Sequence, residues 1–497
     1  MRNNREDVEV GQSNDDRSDE IAEPLIGRQH KTTPPTTEED QDQEDESKRK
    51  SYDDRGSLWM VLLSTFIAVA GSFEFGSCVG YSAPTQSEIT DDLGLSLAEY
   101  SVFGSIGNIG AMVGAVTSGR VADFIGRKGA MRVSSVFCIA GWLAVYFSKG
   151  AVSLDIGRVC TGYGMGVFSY VVPVFIAEIA PKNLRGALAT MNQLMIVGGV
   201  SVTFIIGTLV SWRTLALIGI IPCIILLLGL FLIPESPRWL AKVGRQKDFE
   251  DALRKLRGRD SDISEEASEI LDYIETLRFL PKANLFDLFQ RRYLYPVIVG
   301  VGLMVFQQFG GINGICFYVS HIFEAAGFPS NIGTIIYACI QFPITGFGAL
   351  LIDRAGRRPL LFVSASGLFV GCVLLSTSFY MKVHEISLGS VPILALIGIM
   401  VYIASFSMGM GAVPWVIMSE VFPINIKGIG GSLVTLVNWS GSWVVSFTFN
   451  FLMSWSSYGT FILYAAINGL AILFVAKVVP ETKGRTLEQI QAAINTT

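Results

Sequence analysis

Apolar and polar residues alternate along this chain on the scale of whole helices. After more than 50 polar residues come runs of about 20 apolar residues, the length that crosses a bilayer as a helix. Twelve runs can be placed. The first six lie near 58–80, 97–118, 130–148, 152–179, 187–210 and 214–233. The second six lie near 294–320, 331–351, 359–380, 390–419, 429–452 and 458–479. Between the sixes, residues 235–292 are polar with mixed charge. Apolar residues recur there at helical spacing (Phe249, Leu253, Leu256; Ile270, Ile274, Leu277), which predicts short amphipathic helices at the membrane surface or against the bundle ends. The expected fold class is an all-α membrane protein of twelve spans. Its parts would be a disordered tail (1–56), a six-helix bundle (57–234), a helical linker (235–292), a second six-helix bundle (293–480) and a short tail (481–497).

One polar stretch occurs twice. Between spans 2 and 3 the chain reads Gly119-Arg-Val-Ala-Asp-Phe-Ile-Gly-Arg-Lys128, and between spans 8 and 9 Ile352-Asp-Arg-Ala-Gly-Arg-Arg358. Asp123, Gly126, Arg127 and Lys128 match Asp353, Gly356, Arg357 and Arg358 about 230 residues later, too far apart for a solenoid repeat. The spacing suits two related halves of one membrane protein. Gly126 and Gly356 permit a tight turn.

Composition agrees with a multi-spanning protein. The 497 residues are 50% hydrophobic and only 16% charged, against about 25% charged in a soluble domain; mean hydropathy is +0.46. The net charge of -5 comes from an acidic stretch before Lys48. No basic stripe with interleaved aromatics points to nucleic acid. The seven cysteines (Cys78, Cys138, Cys160, Cys223, Cys316, Cys339, Cys372) nearly all fall inside apolar runs without paired spacing, and the three histidines are widely separated. Neither a disulfide framework nor a metal site is expected, and no cofactor. Lys and Arg concentrate in the 2–3, 4–5, 6–7 and 8–9 links, which places both termini in the cytosol. In the tail, Glu20 is followed by Pro24-Leu25-Ile26, which reads either as a dileucine-type sorting signal for cytosolic adaptors or as a chance apolar patch.

Further motifs repeat the two-half pattern. Gly157-Arg158 precedes Gly162, Gly164 and Gly166 in span 4. Glu178-Ile-Ala-Pro-Lys-Asn-Leu-Arg-Gly186 is echoed by Glu420-Val-Phe-Pro-Ile-Asn-Ile-Lys-Gly428. Pro234-Glu-Ser-Pro-Arg238 follows span 6, and Pro480-Glu-Thr482 follows span 12. With the charged turns, these resemble the sugar porter family of the major facilitator superfamily from about Leu58 to Thr486. The wording of span 1, Phe73-Glu-Phe-Gly-Ser-Cys-Val-Gly-Tyr-Ser-Ala-Pro84, looks most like the plant early-dehydration-responsive-like branch.

The resemblance implies the major facilitator fold: two pseudo-symmetric six-helix bundles, acting as a monomer, with a small-molecule sugar bound between them and alternating access around it. Neutral amides suit hydroxyls because each supplies donors and an acceptor. Span 7 offers Gln307, Gln308 and Asn313, and the resemblance adds Gln193, Gln341, Trp415 and Asn438 as sugar contacts. The competing reading of the span-7 amides is hydrogen bonding between helices. Asp123, Arg127, Glu178, Arg185, Arg238, Asp353, Arg357 and Glu420 would form ion pairs that hold the cytosolic side shut. Glu74 in span 1 is either a proton carrier or a hydrogen-bonded structural residue. Coupled relatives often keep Asp at the position occupied here by Cys78.

The expected function is monosaccharide transport, glucose or a similar hexose, across an intracellular membrane such as the vacuole's, with the plasma membrane as the alternative. Proton symport and a transport-inactive sensor on the same fold are the rival readings. An enzyme is not expected, because no catalytic constellation shares a span.

Overall fold

The apolar runs fold as helices whose ends follow local sequence chemistry. A computed structural model describes residues 38–181, 184–258, 261–279, 285–423 and 426–483. The chain divides into two units, Met1–Tyr52 and Asp53–Thr497. The first half holds α1 (Glu38–Gly80), α2 (Ser82–Leu93), α3 (Leu97–Tyr146), α4 (Ala151–Ile179), α5 (Arg185–Gly207), α6 (Trp212–Ile218) and α7 (Ile220–Gly229). The linker holds α8 (Pro237–Lys242), α9 (Gln246–Arg257) and α10 (Ser264–Phe279). The second half holds α11 (Arg291–Phe309), α12 (Ile312–Ala326), α13 (Ser330–Ala355), α14 (Arg357–Val383), α15 (Val391–Ser405), α16 (Val413–Val421), α17 (Lys427–Trp455) and α18 (Ser457–Lys477).

Among the described residues, ten helices are long and apolar enough to cross a membrane. The longest, α3, holds two spans and bends at Gly126, where φ is 83°. Span 11 is α17, whose Ser, Asn and Gly positions keep it out of those ten. With α3 divided and α17 added, the twelve spans are present. The helix begins earlier than the expected boundary at 57. Residues 38–56 are rich in Glu, Asp, Gln, Lys and Arg, mostly good helix formers, and the acids at 38–40 suit the positive end of the helix dipole. The segment holding Glu20, Pro24, Leu25 and Ile26 lies outside the described residues.

Small residues set the tightest packing. A Cβ on Gly162 would lie 2.1 Å from the Gly107 carbonyl, and one on Gly166 would lie 2.2 Å from the Ala111 carbonyl. The glycine run of span 4 therefore lets α4 press its backbone against α3. The linker docks by the face its periodicity marks: Phe249, Leu253 and Leu256 are buried, as is Ile270, with Ile274 half-buried. Leu256 joins the core of the first half. Arg257 donates to the Ile179 carbonyl (3.0 Å) at the end of α4 and grips Glu266 with two bonds of 2.8 Å.

Because successive spans alternate in direction, the two charged turns, the linker and the starts of α5 and α17 share one face. The starts of α3 and α13 and the ends of α5 and α17 share the other. These are called the charged and the uncharged face below.

Candidate functional site

Polar side chains converge where span 7 breaks. α11 ends at Phe309, α12 begins at Ile312, and Gly311 between them takes φ 103°, which a side chain would strain. The Gly310 carbonyl accepts from the Tyr402 hydroxyl (3.0 Å) and from Asn468 Nδ2 (3.1 Å). Two neighbouring helices thus satisfy the backbone that the break exposes.

Gln307 and Gln308 stand just before this break and Asn313 just after it. Gln307 Nε2 donates to the carbonyls of Met410 (2.6 Å) and Gly411 (3.3 Å) in span 10. The sequence explains why those acceptors are free. Pro414 has no N–H to return to Met410, and Trp415 N bonds the Ala412 carbonyl (3.2 Å) instead of Gly411. A π-turn at Phe406–Met410 precedes this point. Span 10 therefore breaks just before Val413, where α16 begins. Gln308 Nε2 donates to Gln307 Oε1 (3.1 Å) and Asn438 Oδ1 (2.6 Å), and Gln308 Oε1 accepts from Asn313 Nδ2.

Four predicted residues thus form one chain of amides across spans 7, 10 and 11. Among the described residues its ends are open: Asn438 Nδ2 as a donor and Asn313 Oδ1 as an acceptor. The cluster bonds helix to helix, and it also offers what a polyol needs. The other three predicted contacts share no hydrogen bond with it. Gln341 is buried with an unpartnered Oε1. Gln193 is half-buried, without a hydrogen bond among the described residues. Trp415 packs, partly buried, against the apolar cluster that holds Phe422 and Val434.

The halves meet through neutral groups toward the uncharged face. Asn108 Nδ2 donates to Ser446 Oγ (3.0 Å), Asn450 Nδ2 to Ser101 Oγ (3.1 Å), and Ser201 Oγ to the Ala338 carbonyl (3.1 Å). Phe204 packs on Tyr337, and Tyr100 on Tyr318. Sequence reasoning missed this closure. Asn and Ser inside apolar runs were its only signal, and no motif marks them. Among the described residues, no hydrogen bond or ion pair joins the halves at the charged face.

The ion pairs there lie within each half. Arg127 grips Glu178 with two bonds (Nε–Oε2 2.8 Å, Nη2–Oε1 2.7 Å) and reaches Asp123 at 3.2 Å. Asp123 also accepts from Lys242 (2.8 Å), and its carbonyl from Trp239 Nε1 (2.9 Å). In the second half, Arg357 Nη2 donates to Glu420 Oε1 at 3.0 Å. The Asp353 side chain lies outside the described residues. Arg185, expected among the pairs, is exposed and makes none among the described residues; a solvated guanidinium gains little from pairing. Arg238 lies over the Tyr273 ring at 5.7 Å rather than beside a carboxylate.

Each turn is also clasped by a glutamate that sequence reasoning noted only as motif. Glu235 accepts from the Lys128 amide (3.1 Å) and the Ser236 amide (2.8 Å). Glu481 accepts from the amides of Arg357 (3.1 Å), Arg358 (3.0 Å) and Lys483 (2.9 Å). Burial pushes the Glu235 carboxyl above its ordinary value, against those amides. Partial burial pushes Glu481 the same way, but its more numerous amides outweigh it and hold the carboxyl below that value.

Glu74 is fully buried. Its Oε1 accepts from Trp142 Nε1 (2.6 Å) and lies 3.4 Å from Cys78 Sγ, while Oε2 has no partner. Arg158, also buried, donates to the Cys78 carbonyl (2.9 Å) and Ser82 Oγ (2.8 Å).

A family model described as Sugar (and other) transporter matches residues 36–494. Sugar transporter ERD6-like 7 of Arabidopsis thaliana is 69% identical over 437 residues, 88% of this chain and 94% of that relative. The chain belongs to the sugar transporter family. Sugar transporter ERD6-like 16 of Arabidopsis thaliana is 64% identical over 450 residues, 90% of this chain and 93% of that relative. The plant branch is the one that span 1 suggested. Among solved structures, the proton:xylose symporter XylE bound to 6-bromo-6-deoxy-D-glucose matches with TM-score 0.72 and 27% identity, covering 87% of this chain and 99% of that one. The inward-open conformation of XylE from E. coli matches with TM-score 0.73, at the same identity and coverage. The fold is the twelve-helix major facilitator fold, and this sugar porter is a multi-pass membrane transporter rather than an enzyme.

Proposed function

We propose that this transporter carries a neutral hexose such as glucose down its gradient, by alternating access around the amide cluster. The observation that supports this reading is the linked set Gln307, Gln308, Asn313 and Asn438, with its open donor and acceptor. Sugar hydroxyls would bond those ends or displace the internal bonds, while Gln193, Gln341 and Trp415 supply further contacts. The two breaks, in spans 7 and 10, put this set where backbone can adjust. With the charged face in the cytosol, the conformation described would be inward-facing: zipped outside and, among the described residues, without cross-half ion pairs inside. Asp123, Arg127, Glu178, Arg357 and Glu420 then change partners as the halves rock; Arg185, Arg238 and Asp353 join them in the opposite state.

Facilitated diffusion is favoured by Arg158. Coupled relatives often keep an acid at the Cys78 position, whereas here the guanidinium is met by a carbonyl and a hydroxyl. Radiolabelled glucose uptake by the purified protein in liposomes tests both points. Gln307→Ala removes hydrogen bonds of about 1–3 kcal/mol, so KM should rise roughly 5- to 150-fold. Unchanged transport in both Gln307→Ala and Asn313→Ala would discard the site.

A second reading, proton symport, rests on Glu74, a buried carboxylate with one oxygen unpartnered. It requires accumulation driven by a pH gradient in the native protein, abolished by Glu74→Gln while sugar-for-sugar exchange survives. For location, the Leu25/Ile26 pair would hold the protein in an intracellular membrane such as the vacuole's. Leu25→Ala with Ile26→Ala should then move a fluorescent fusion to the cell surface.

A further inference from the structure

Three thiols and a carboxylate left unused by sugar binding meet in the core of the first half. Glu74 and Cys78 come from α1, Cys138 from α3 beyond its bend, and Cys223 from α7. All four are between 0% and 2% exposed. One carboxylate oxygen of Glu74 and the Sγ atoms of Cys138 and Cys223 lie within 4.8 Å of one another. Cys78 Sγ lies 3.4 Å from Glu74 Oε1. Linear spacing hid this group, because residues 78, 138 and 223 share no motif. The seven cysteines are therefore less scattered than the sequence implied.

We propose that Glu74, Cys138 and Cys223, with Cys78 as the fourth donor, bind zinc and staple spans 1, 3 and 6 together. Thiolates with one carboxylate are a donor set for a tetrahedral d10 cation. Zinc–sulfur bonds of about 2.3 Å place sulfurs about 3.8 Å apart, so the group closes onto the ion by small side-chain rotations. The surroundings fit a metal ligand's outer shell. Trp142 Nε1 fixes Glu74 through Oε1 at 2.6 Å and leaves Oε2 buried without a partner. Cys138 Sγ lies 3.8 Å from the Thr161 carbonyl, a weak contact.

Charge is largely offset as well. Four anionic ligands, a divalent ion and the nearby Arg158 guanidinium leave a single net negative charge, so Arg158 lowers the cost of burying the site. Arg158 is tied to the group through the Cys78 carbonyl. Trp142, the donor to Glu74, also lines a cavity of about 30 Å³ with Phe73, Ser77, Gly219 and Pro222.

The test uses the full-length protein in detergent, stripped with a chelator, loaded with zinc chloride or cadmium chloride, and desalted. One ion per chain should be retained, and cadmium should give the ultraviolet thiolate-to-metal absorption band. Cys138→Ser with Cys223→Ser should abolish retention, and Glu74→Gln should weaken it at least tenfold. Cys160→Ser with Cys339→Ser, which removes thiols outside the group, should retain the ion. Native protein that retains no ion and shows no cadmium band overturns the site without any variant. Loss of the ion in the Cys160/Cys339 variant overturns it too, since retention would then be adventitious thiol binding.

Discussion

The two charged turns are copies in sequence, yet they are held differently. In the first half, Arg127 makes a two-pronged pair with Glu178, their side chains 9% and 14% exposed. Helix α8 adds Lys242 and Trp239 on Asp123. In the second half, Glu420 is 26% exposed and meets Arg357 through Oε1, while its Oε2 is buried without a hydrogen-bond partner among the described residues. The difference follows from what comes next in the chain. The first half is followed by a folded linker that packs on its turn, the second by Pro480-Glu-Thr482. Repeated motifs set the same turn twice; their neighbours decide how tightly each is clamped.

The sharpest test of this asymmetry removes one acid from each half. Glu178→Ala removes the two-pronged partner of a buried guanidinium, leaving it Asp123 and the Ala122 carbonyl, and should cost about 3–5 kcal/mol. Glu420→Ala removes a more exposed partner and should cost about 1–3 kcal/mol. Thermal unfolding in detergent compares them, and equal losses would mean that the two clamps are equivalent.

Acid should separate the clasping glutamates next. Glu235 binds its proton more tightly folded than unfolded, so stability falls as pH rises from the unfolded carboxyl value, about 4.3, through its raised folded value. Glu481 does the reverse. Its contribution is complete above about 4.3 and is lost as pH falls through its lowered folded value. Glu235→Gln should flatten the melting profile above that pH, and Glu481→Gln below it. Matching profiles would erase the distinction. The smallest effect belongs to Lys242→Ala. That pair is half exposed (51% and 50%), so about 0.2–1 kcal/mol is expected, shrinking with added salt. A loss as large as that of Glu178→Ala would make the linker the main clamp.

Much of this was legible in the sequence. Span length, the two glycine turns and the amide types of span 7 are properties of short stretches, so twelve spans and three of the cluster's four members could be read directly, while Asn438 came from the resemblance. What could not be read depends on distant partners. Gln307 finds acceptors because Pro414 frees the Met410 carbonyl more than a hundred residues away. Glu74 meets Trp142 across 68 positions. Arg238 and Arg185 looked like gate residues by motif, but their surroundings, a tyrosine ring and open surface, decide otherwise in this conformation. The early start of α1 was hidden by acidic composition, which reads as disorder and also suits a helix.

The closure between the halves has one more consequence. Among the described residues, the bonds that zip the uncharged face join neutral groups, as Asn108 to Ser446, Asn450 to Ser101 and Ser201 to a carbonyl do. Neutral dipoles at van der Waals contact are not screened by dissolved ions. Reopening of that face should therefore proceed at the same rate in dilute and concentrated salt, and at any pH that leaves the helices intact. Under the facilitated diffusion proposed above, a cell would set the direction of traffic through sugar concentration, with ionic conditions acting at the opposite end of the molecule.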